Sequence, residues 1–222
     1  MKKYAVIVAG GSGLRMGIET PKQFLLLNGK SILWHTINAF LQTYNDIKII
    51  LVLPNEHIEK GKNICEMFTQ QIDIIVGGAT RFDSVKNGLQ LIKSDSIVFV
   101  HDAVRCLISK DLIERCYYKT LEFGSAIPTI SATDSIRITS NTEHKIIDRN
   151  TVKIIQTPQT FLSSILLPAF EQNYNESFTD EATVVEAFGN KVFLCEGDYN
   201  NIKITRPIDL LIAESILNTT IL

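Results

Sequence analysis

A glycine-rich segment with two cationic side chains is the chemically most distinctive part of the sequence. It reads AGGSGLRMGIETPKQF at residues 9–24 and follows the apolar run YAVIV. Glycines let backbone N–H groups approach phosphate oxygens closely. Arg15 and Lys22 stand seven residues apart and add donors that can neutralise phosphate charge. The segment therefore indicates a loop that binds a polyphosphate.

Two familiar phosphate-binding motifs do not fit this segment. The dinucleotide motif G-x-G-x-x-G, begun at Gly11, requires a third glycine where Met16 stands. A P-loop ending in GKS at residues 29–31 requires a glycine where Phe24 stands. By itself, the segment could also be a plain glycine-containing turn with two solvated surface cations, and composition leaves that alternative open.

The rest of the chain alternates between strand-like and helix-like segments. Short β-branched runs at residues 4–9, 47–53, 72–77 and 96–102 predict buried strands, with amphipathic stretches between them. We expect one helix to begin at Ser31, another near Phe82 with Asp83 as its cap, and a last one at Pro207. This order predicts an α/β fold that is Rossmann-like, with a mostly parallel sheet flanked by helices.

Residues 131–153 break this alternation. Strand-forming and polar residues alternate there around the turn-forming stretch SNTEH. The pattern predicts a β-arm that protrudes from a single domain comprising residues 1–222. An isolated two-stranded arm is marginally stable in water, so we expect it to pack against a second subunit in a homodimer.

The composition argues against several classes of partner. The chain has 22 Lys and Arg against 24 Asp and Glu, which leaves no polybasic field for a nucleic acid. No run approaches the roughly 18 apolar residues that cross a bilayer, and the N-terminal run is strand-like rather than signal-like. We expect a cytoplasmic protein without a nucleic-acid or membrane partner. Its four cysteines show no metal-binding spacing and are expected to be free thiols.

Six segments resemble, in order, the signature segments of the 2-C-methyl-D-erythritol 4-phosphate cytidylyltransferase family. They are AGGSGLRMG with PKQF, GGATRFDSV, VHDAVR, IDRNTVKIIQTPQTF, TDEATVVE and NIKITRPIDL. The resemblance runs from Tyr4 to about Leu217 and implies a nucleotidyltransferase-type fold. It also implies transfer of the cytidylyl group of CTP to 2-C-methyl-D-erythritol 4-phosphate. The products would be 4-diphosphocytidyl-2-C-methyl-D-erythritol and pyrophosphate, in non-mevalonate isoprenoid precursor biosynthesis.

The resemblance also implies roles for individual residues. Arg15 and Lys22 would be catalytic, and Asp102 would bind both CTP and Mg²⁺, for which a carboxylate at a strand end is well suited. The other CTP contacts would be Ala9, Gly10, Gly11, Gly13, Gly78, Arg81 and Ser84. The substrate contacts would be Thr157, Thr179 and Lys203 from one subunit and Arg105, Ser135 and Arg149 from its partner. His101, beside Asp102, is expected to be a packed strand-end residue.

Some positions depart from the family pattern. Cys106 stands where the family usually has proline, Ala79 where an acidic residue is often found, and Ser135 where threonine is usual. The related pentitol-phosphate cytidylyltransferases share the glycine loop, PKQF and TPQTF, but DRN at 148–150 and TDEA at 179–182 favour the methylerythritol family. Two alternatives remain: a nucleotidyltransferase for ribitol 5-phosphate or a sugar phosphate, and a nucleotide-binding regulatory protein without turnover.

Overall fold

The computed structural model describes residues 1–11, 20–70, 72–140 and 142–220. Its strands are β1 (Lys2–Val8), β2 (Leu26–Leu27), β3 (Lys30–Ser31), β4 (Lys48–Leu53), β5 (Ile72–Val76), β6 (Ser96–Asp102), β7 (Ser125–Ser131), β8 (Ile136–Ser140), β9 (Glu143–Ile147), β10 (Lys153–Ile155), β11 (Gln159–Leu162) and β12 (Leu194–Glu196). Its helices are α1 (Ile32–Thr43), α2 (Ile58–Cys65), α3 (Arg81–Leu89), α4 (Lys110–Phe123), α5 (Ser163–Ala169), α6 (Glu181–Ala187) and α7 (Pro207–Thr220).

The central sheet is mostly parallel. Strands β5, β4, β1 and β6 are parallel neighbours in that order. Strand β11 is antiparallel to both β6 and β7, and β10 is antiparallel to β7, whereas β12 is parallel to β7. Strands β10 and β11 therefore run against the direction of the others. This arrangement confirms the predicted α/β class.

Helices cover both faces of the sheet because its central strands are apolar on both sides. In β1, Ala5 and Ile7 face one hydrophobic cluster with α1 and α4, while Tyr4 and Val6 face a second cluster with α3 and α5. Successive side chains of a strand point to opposite faces, so a continuous apolar run requires cover on both. This double cover fixes β1 and β6 in the interior and presents their carboxyl ends at one edge.

All three predicted helix starts are confirmed, since α3 begins at Arg81, next to Phe82, but one predicted cap is wrong. The Ser31 hydroxyl accepts a hydrogen bond from the Trp34 N–H, and α7 begins with Pro207. The cap of α3 is Thr80 rather than Asp83. Asp83 stands three residues later, and its carboxylate accepts from the Thr80 N–H while the Thr80 hydroxyl accepts from the Asp83 N–H, so the two form a reciprocal capping box.

The predicted arm is present as a β-hairpin. Strands β8 and β9 form a two-stranded antiparallel sheet that is separate from the central one. At its base, the Arg149 guanidinium donates to the Thr133 carbonyl over 2.8 Å. Ile138 and Ile146 on the hairpin are 58% and 65% exposed, so the arm presents apolar surface in the single chain. None of the helices in the described ranges is long and apolar enough to cross a membrane.

Candidate nucleotide and phosphate site

A cavity of about 340 Å³ lies where β1, β4 and β6 end. Ligands of open α/β sheets bind at the carboxyl ends of the strands because loops and helix starts converge there. The cavity is lined by many of the residues singled out in the sequence: Ala9, Gly10, Gly11, Lys22, Gly78, Arg81, Ser84, Asp102 and Lys203. Gly13 and Arg15 lie outside the described residues. The fold therefore brings together residues as far apart in the chain as Ala9 and Lys203.

The loop before α3 closes tightly on one wall of the cavity. A Cβ atom added to Gly78 would lie 2.2 Å from the Asp83 Cβ, so this position requires glycine. The Ser84 hydroxyl accepts from the Gly78 N–H over 3.1 Å and donates to the Thr80 carbonyl over 2.9 Å. These bonds hold the glycine backbone against the cavity, where its polar groups can contact a small ring.

The opposite wall is formed by the end of β1 and the short 3-10 turn Lys22–Phe24. The buried Gln23 amide donates to the Ala9 carbonyl over 2.8 Å and so joins these two segments. Lys22 is only 7% exposed although it lines the cavity. A cation with so little exposure to water acts more strongly on a bound anion than a cation on an open surface does.

Asp102 at the end of β6 faces three cationic side chains. Its Oδ2 oxygen lies 2.8 Å from the Lys203 Nζ and 3.7 Å from the Arg105 Nε, and its Oδ1 oxygen lies 3.5 Å from the Arg81 Nη2. Burial alone would raise the pKa of Asp102, but Arg81 and Lys203 hold it well below its usual range. The carboxylate is therefore ionised. Among the described residues, these three cations exceed the two carboxylates that they contact, Asp102 and Glu181, which favours an anionic ligand.

Glu181, at the start of α6, is a buried residue that the sequence reasoning did not assign. Its carboxylate accepts from both terminal nitrogens of Arg81, with 3.0 Å between Arg81 Nη2 and Glu181 Oε2. Burial raises the pKa of Glu181, and Arg81 counteracts this. Burial also opposes the charge of Arg81, yet Glu181 and Asp102 raise its pKa above the usual value. The two side chains are an ion pair with two parallel hydrogen bonds.

Buried hydrogen bonds connect the backbone of Asp102 to the side chains of Thr157 and His101. The Thr157 hydroxyl accepts from the Asp102 N–H over 3.1 Å and lies 3.1 Å from the His101 Nδ1. The other ring nitrogen, Nε2, lies 3.1 Å from the Arg105 carbonyl, which only accepts, so we assign the proton to Nε2. Burial lowers the pKa of His101 to about 4, so the ring is neutral at pH 7. The prediction that His101 is a packed strand-end residue is confirmed.

The other predicted substrate residues lie outside the cavity lining. Arg105 donates to the carbonyls of Asn201 and Ile155. Thr179 is exposed just before α6, and Ser135 and Arg149 are exposed on the arm or at its base. Their contacts with substrate stay predictions.

The residues that sequence reasoning missed had weak signals. Gln23 stands inside PKQF and Glu181 inside TDEATVVE, two segments that carried the resemblance, but neither side chain was given a role. The partner of Glu181, Arg81, stands 100 residues earlier in the chain. The next residue, Ala182, donates its N–H to the amide oxygen of Gln159, which stands 23 residues before Ala182. Pairings over such separations depend on the fold.

The comparisons with known proteins agree with this geometry. The family model of 2-C-methyl-D-erythritol 4-phosphate cytidylyltransferase matches residues 4–219. The enzyme of that name from Phocaeicola vulgatus is 43% identical over 98% of this chain and 100% of its own. The one from Azobacteroides pseudotrichonymphae is 44% identical over 98% and 99%.

Solved structures show the same relationship. The 4-diphosphocytidyl-2C-methyl-D-erythritol synthase of Anaerococcus prevotii is similar with a TM-score of 0.84 and 27% identity, over 98% of each chain. The 2-C-methyl-D-erythritol 4-phosphate cytidylyltransferase of Francisella tularensis has a TM-score of 0.78 and 32% identity, over 97% of this chain and 99% of its own. The chain therefore belongs to the 2-C-methyl-D-erythritol 4-phosphate cytidylyltransferase family.

Proposed function

We propose that the cavity at the carboxyl ends of β1, β4 and β6 is the active site of a cytidylyltransferase. As a member of its family, the chain transfers the cytidylyl group of CTP to 2-C-methyl-D-erythritol 4-phosphate in isoprenoid precursor biosynthesis. The products are 4-diphosphocytidyl-2-C-methyl-D-erythritol and pyrophosphate. The observation that best supports the location is the group of cations around Asp102 next to two glycine-containing loops.

The reaction requires charge neutralisation more than proton transfer. The phosphate monoester of the substrate is already anionic at neutral pH, so its oxygen can attack the α-phosphate of CTP without a general base. The transition state then carries additional negative charge, which pre-positioned cations stabilise. Lys22 and Lys203 line the cavity and are suited to this role. Arg15, assigned the same role by resemblance, remains part of the proposal.

Lys203 is placed to exchange one anion for another. In the chain alone, its ammonium group pairs with Asp102, while its side chain remains 41% exposed. Lysine is a flexible point-charge donor with several rotatable bonds. We expect it to turn from Asp102 to the phosphate of the second substrate when that substrate binds.

The glycine loops provide selectivity for a small base. The backbone around Gly78, fixed by Ser84, and the backbone of Ala9–Gly11 form facing walls of the cavity. Backbone N–H and C=O groups can bond the edge of cytosine, and a purine presents a different pattern of donors and acceptors to the same fixed groups.

We also propose Mg²⁺ as the cofactor, held by Asp102. The described part of the chain contains no group of three His, Cys, Asp or Glu residues that could hold a metal. The chemistry of Asp102 nevertheless fits, because Mg²⁺ often binds one carboxylate together with substrate phosphates and waters. Within the described ranges, the Asp102 Oδ1 makes only a long 3.5 Å contact with Arg81, which leaves it suited to a cation. Bound Mg²⁺ would neutralise phosphate charge and align the CTP phosphates.

A cytoplasmic homodimer is the form in which we propose the enzyme works. Ser135 and Arg149 are exposed and do not line the cavity of their own chain. We therefore propose that they contact the substrate bound in the partner subunit. Cys116 and Cys195 have their sulfurs 3.9 Å apart without a disulfide. Unbonded neighbouring thiols are compatible with a reducing compartment.

The test is pyrophosphate release by the purified protein with Mg²⁺ and CTP. Methylerythritol phosphate and ribitol 5-phosphate are offered in parallel, with ATP, GTP and UTP as nucleotide controls. We expect turnover confined to CTP with methylerythritol phosphate, and loss of turnover when EDTA removes the metal. Turnover with ribitol 5-phosphate instead would show that the substrate assignment is wrong, and no turnover with any pair would favour a binding protein.

A further inference from the structure

Glu181 is a buried carboxylate that takes no direct part in the proposed reaction. It is 0% exposed and does not line the cavity, whereas its partner Arg81 does. A buried charge is costly unless it is paired and hydrogen-bonded, and Glu181 is paired with Arg81 through both oxygens. The pair therefore fixes the orientation of a guanidinium group that borders the cavity.

The backbone that carries Glu181 is itself held firmly. Asp180 caps α6, and its side chain and that of Thr183 bond each other's backbone N–H groups. The buried Gln159 on β11 donates to the Asp180 carboxylate over 2.9 Å and accepts from the Ala182 N–H over 2.7 Å. Glu181 is thus flanked on both sides by residues bonded to the central sheet, and its carboxylate has little freedom to follow Arg81.

Arg81 is shared unequally between two carboxylates. Its Nη2 lies 3.0 Å from the Glu181 Oε2 but 3.5 Å from the Asp102 Oδ1. A two-point contact between guanidinium and carboxylate is stronger than one long contact, so Glu181 determines where Arg81 rests. Without the charge of Glu181, Asp102 would be the carboxylate among the described residues that still bonds Arg81, and the guanidinium would move toward the Oδ1 oxygen.

We propose that Glu181 is a positioning residue that keeps Arg81 from closing on Asp102, so that the Asp102 carboxylate stays available to the metal–CTP complex. This inference rests on the proposed function, because it takes Asp102 as the metal ligand. Glu181 acts only through Arg81 and touches neither substrate nor metal.

The experiment compares E181Q with the control variant E186Q. Glu186 is exposed on the same helix, so its substitution changes the same charge without touching Arg81. Binding of Mn²⁺ in the presence of CTP, without the second substrate, is followed by the change of the Mn²⁺ EPR signal on adding protein, measured against Mn²⁺ and CTP alone because CTP itself binds Mn²⁺. We expect E181Q to weaken Mn²⁺ affinity about 10- to 100-fold, the usual effect of removing a group that orients a metal ligand. E186Q is expected to match the wild type.

Two further comparisons separate positioning from a loss of folding. E181D keeps the charge but is one methylene too short for the same contact, so it should shift Mn²⁺ affinity in the same direction by a smaller factor. In the R81Q background, adding E181Q should change Mn²⁺ affinity by less than about twofold, since residues that act through one another are not additive. Thermal unfolding of each variant identifies those that are folded at the assay temperature.

The outcomes distinguish this inference from the proposed function. If the wild type turns over its substrates but E181Q and E181D bind Mn²⁺ as tightly as the wild type does, the inference alone is overturned. The inference is also overturned if E181Q weakens Mn²⁺ binding equally in the wild-type and R81Q backgrounds. A wild type that binds Mn²⁺ and CTP, with the expected shift in E181Q, but releases no pyrophosphate would support the inference and overturn the proposed turnover.

Discussion

Lys22 is a sensitive probe of the reaction because it is nearly buried and lines the cavity. We expect Lys22→Ala to lower kcat about 100- to 1000-fold, as when one stabilising donor is removed from an active site. The dissociation constant for CTP should rise by less than about tenfold, because a contact that tightens in the transition state affects the rate more than the affinity. Pyrophosphate release gives kcat, and calorimetric titration gives the CTP affinity.

The control for Lys22 is Lys62→Ala, which removes an exposed cation on α2 that pairs with Glu59. It should leave both quantities unchanged. Equal loss of CTP affinity and kcat in Lys22→Ala would show that this lysine stabilises the ground-state complex with CTP, and would contradict its catalytic assignment.

His101 makes folding stability depend on pH in a defined direction. Burial lowers its pKa from 6.5 to about 4 in the folded chain. Below pH 6.5 the unfolded chain binds a proton that the folded chain does not, so stability is lost as the pH falls toward 4 and is unaffected above 6.5. The loss should be about 2 kcal/mol between about pH 7 and pH 5.

Urea unfolding at a series of pH values measures this loss, and His101→Gln isolates it. Glutamine has no titrating ring, so the variant should be less stable at pH 7 but should lose about 2 kcal/mol less on acidification. Parallel pH profiles for wild type and variant would mean that His101 is protonated equally in both states.

For individual residues, the sequence allowed charged side chains at strand ends to be predicted, but not the residues with which they form ion pairs. Asp102 and Lys22 were recognisable because they stand directly after strand-like or glycine-rich runs. The predicted roles of the residues outside the cavity lining remain predictions. Glu181 was missed because its partner Arg81 is 100 positions away, and a charged residue followed by apolar ones is typical of any helix start. The hydrogen-bond pattern that fixes it exists only in three dimensions.

Helix α3 presents its first residues to the cavity because its glycine lets it pack closely on the sheet. A Cβ atom on Gly88 would lie 2.7 Å from the Val6 Cγ1 and 3.2 Å from the Val52 Cγ2. Gly88→Ala should therefore destabilise the protein by about 1–2 kcal/mol, since overpacking outweighs the gain in helix propensity. Because Arg81 and Ser84 move with the helix, CTP affinity should also fall several-fold.

Urea unfolding and CTP titration measure these two effects, with Lys86→Ala as the alanine control on the same helix. Lys86 is not buried, so its substitution should change stability by less than about 0.5 kcal/mol. A Gly88→Ala variant that is more stable than wild type by about 1 kcal/mol would behave as an exposed helical glycine does, and would disprove the close packing.

Elements with strong periodicity were predictable, and short ones were not. Apolar runs and capping residues predict β1, β4, β5, β6 and the starts of α1, α3 and α7. Strand β5 was expected to be buried but is only partly so, because it is the edge strand of the sheet. The cap of α3 was misassigned because Thr80 and Asp83 both suit that role, and only backbone conformation decides between them. Strands β10, β11 and β12 have three or four residues each, too few for a period to be visible, and they form through pairing with β7 or β6.

At the scale of the whole molecule, the arm carries apolar residues that a single chain leaves exposed. Ile138 lies opposite Lys145 in the hairpin, and the next residue, Thr139, lies on the other face. Ile138→Asp should shift the protein from dimer toward monomer, because a charge would have to be buried in the subunit contact. Sedimentation velocity measures this, with Leu91→Asp, a substitution at an exposed apolar residue outside the arm, as the control. A dimer of unchanged stability in Ile138→Asp would place that face outside the contact.

Sharing of active sites between subunits predicts that two defective variants restore each other. Lys22 belongs to the cavity of its own chain, whereas Arg149 at the base of the arm is proposed to serve the partner's site. In a mixed dimer of Lys22→Ala and Arg149→Ala, one site combines an intact cavity with an intact arm, and the other carries both defects. After subunits exchange at equal amounts, half of the dimers are mixed, so activity should recover to about a quarter of wild type.

The control mixture combines Lys22→Ala with Asp102→Asn. Both residues line the same cavity, so every site in this mixed dimer has a defect and no activity should return. Pyrophosphate release before and after exchange is the measurement, with exchange verified by mass spectrometry of differently tagged chains. Recovery in the first mixture alone requires that the arm of one subunit completes the site of the other. If exchanged dimers of Lys22→Ala and Arg149→Ala stay inactive, Arg149 serves its own chain and each subunit works separately.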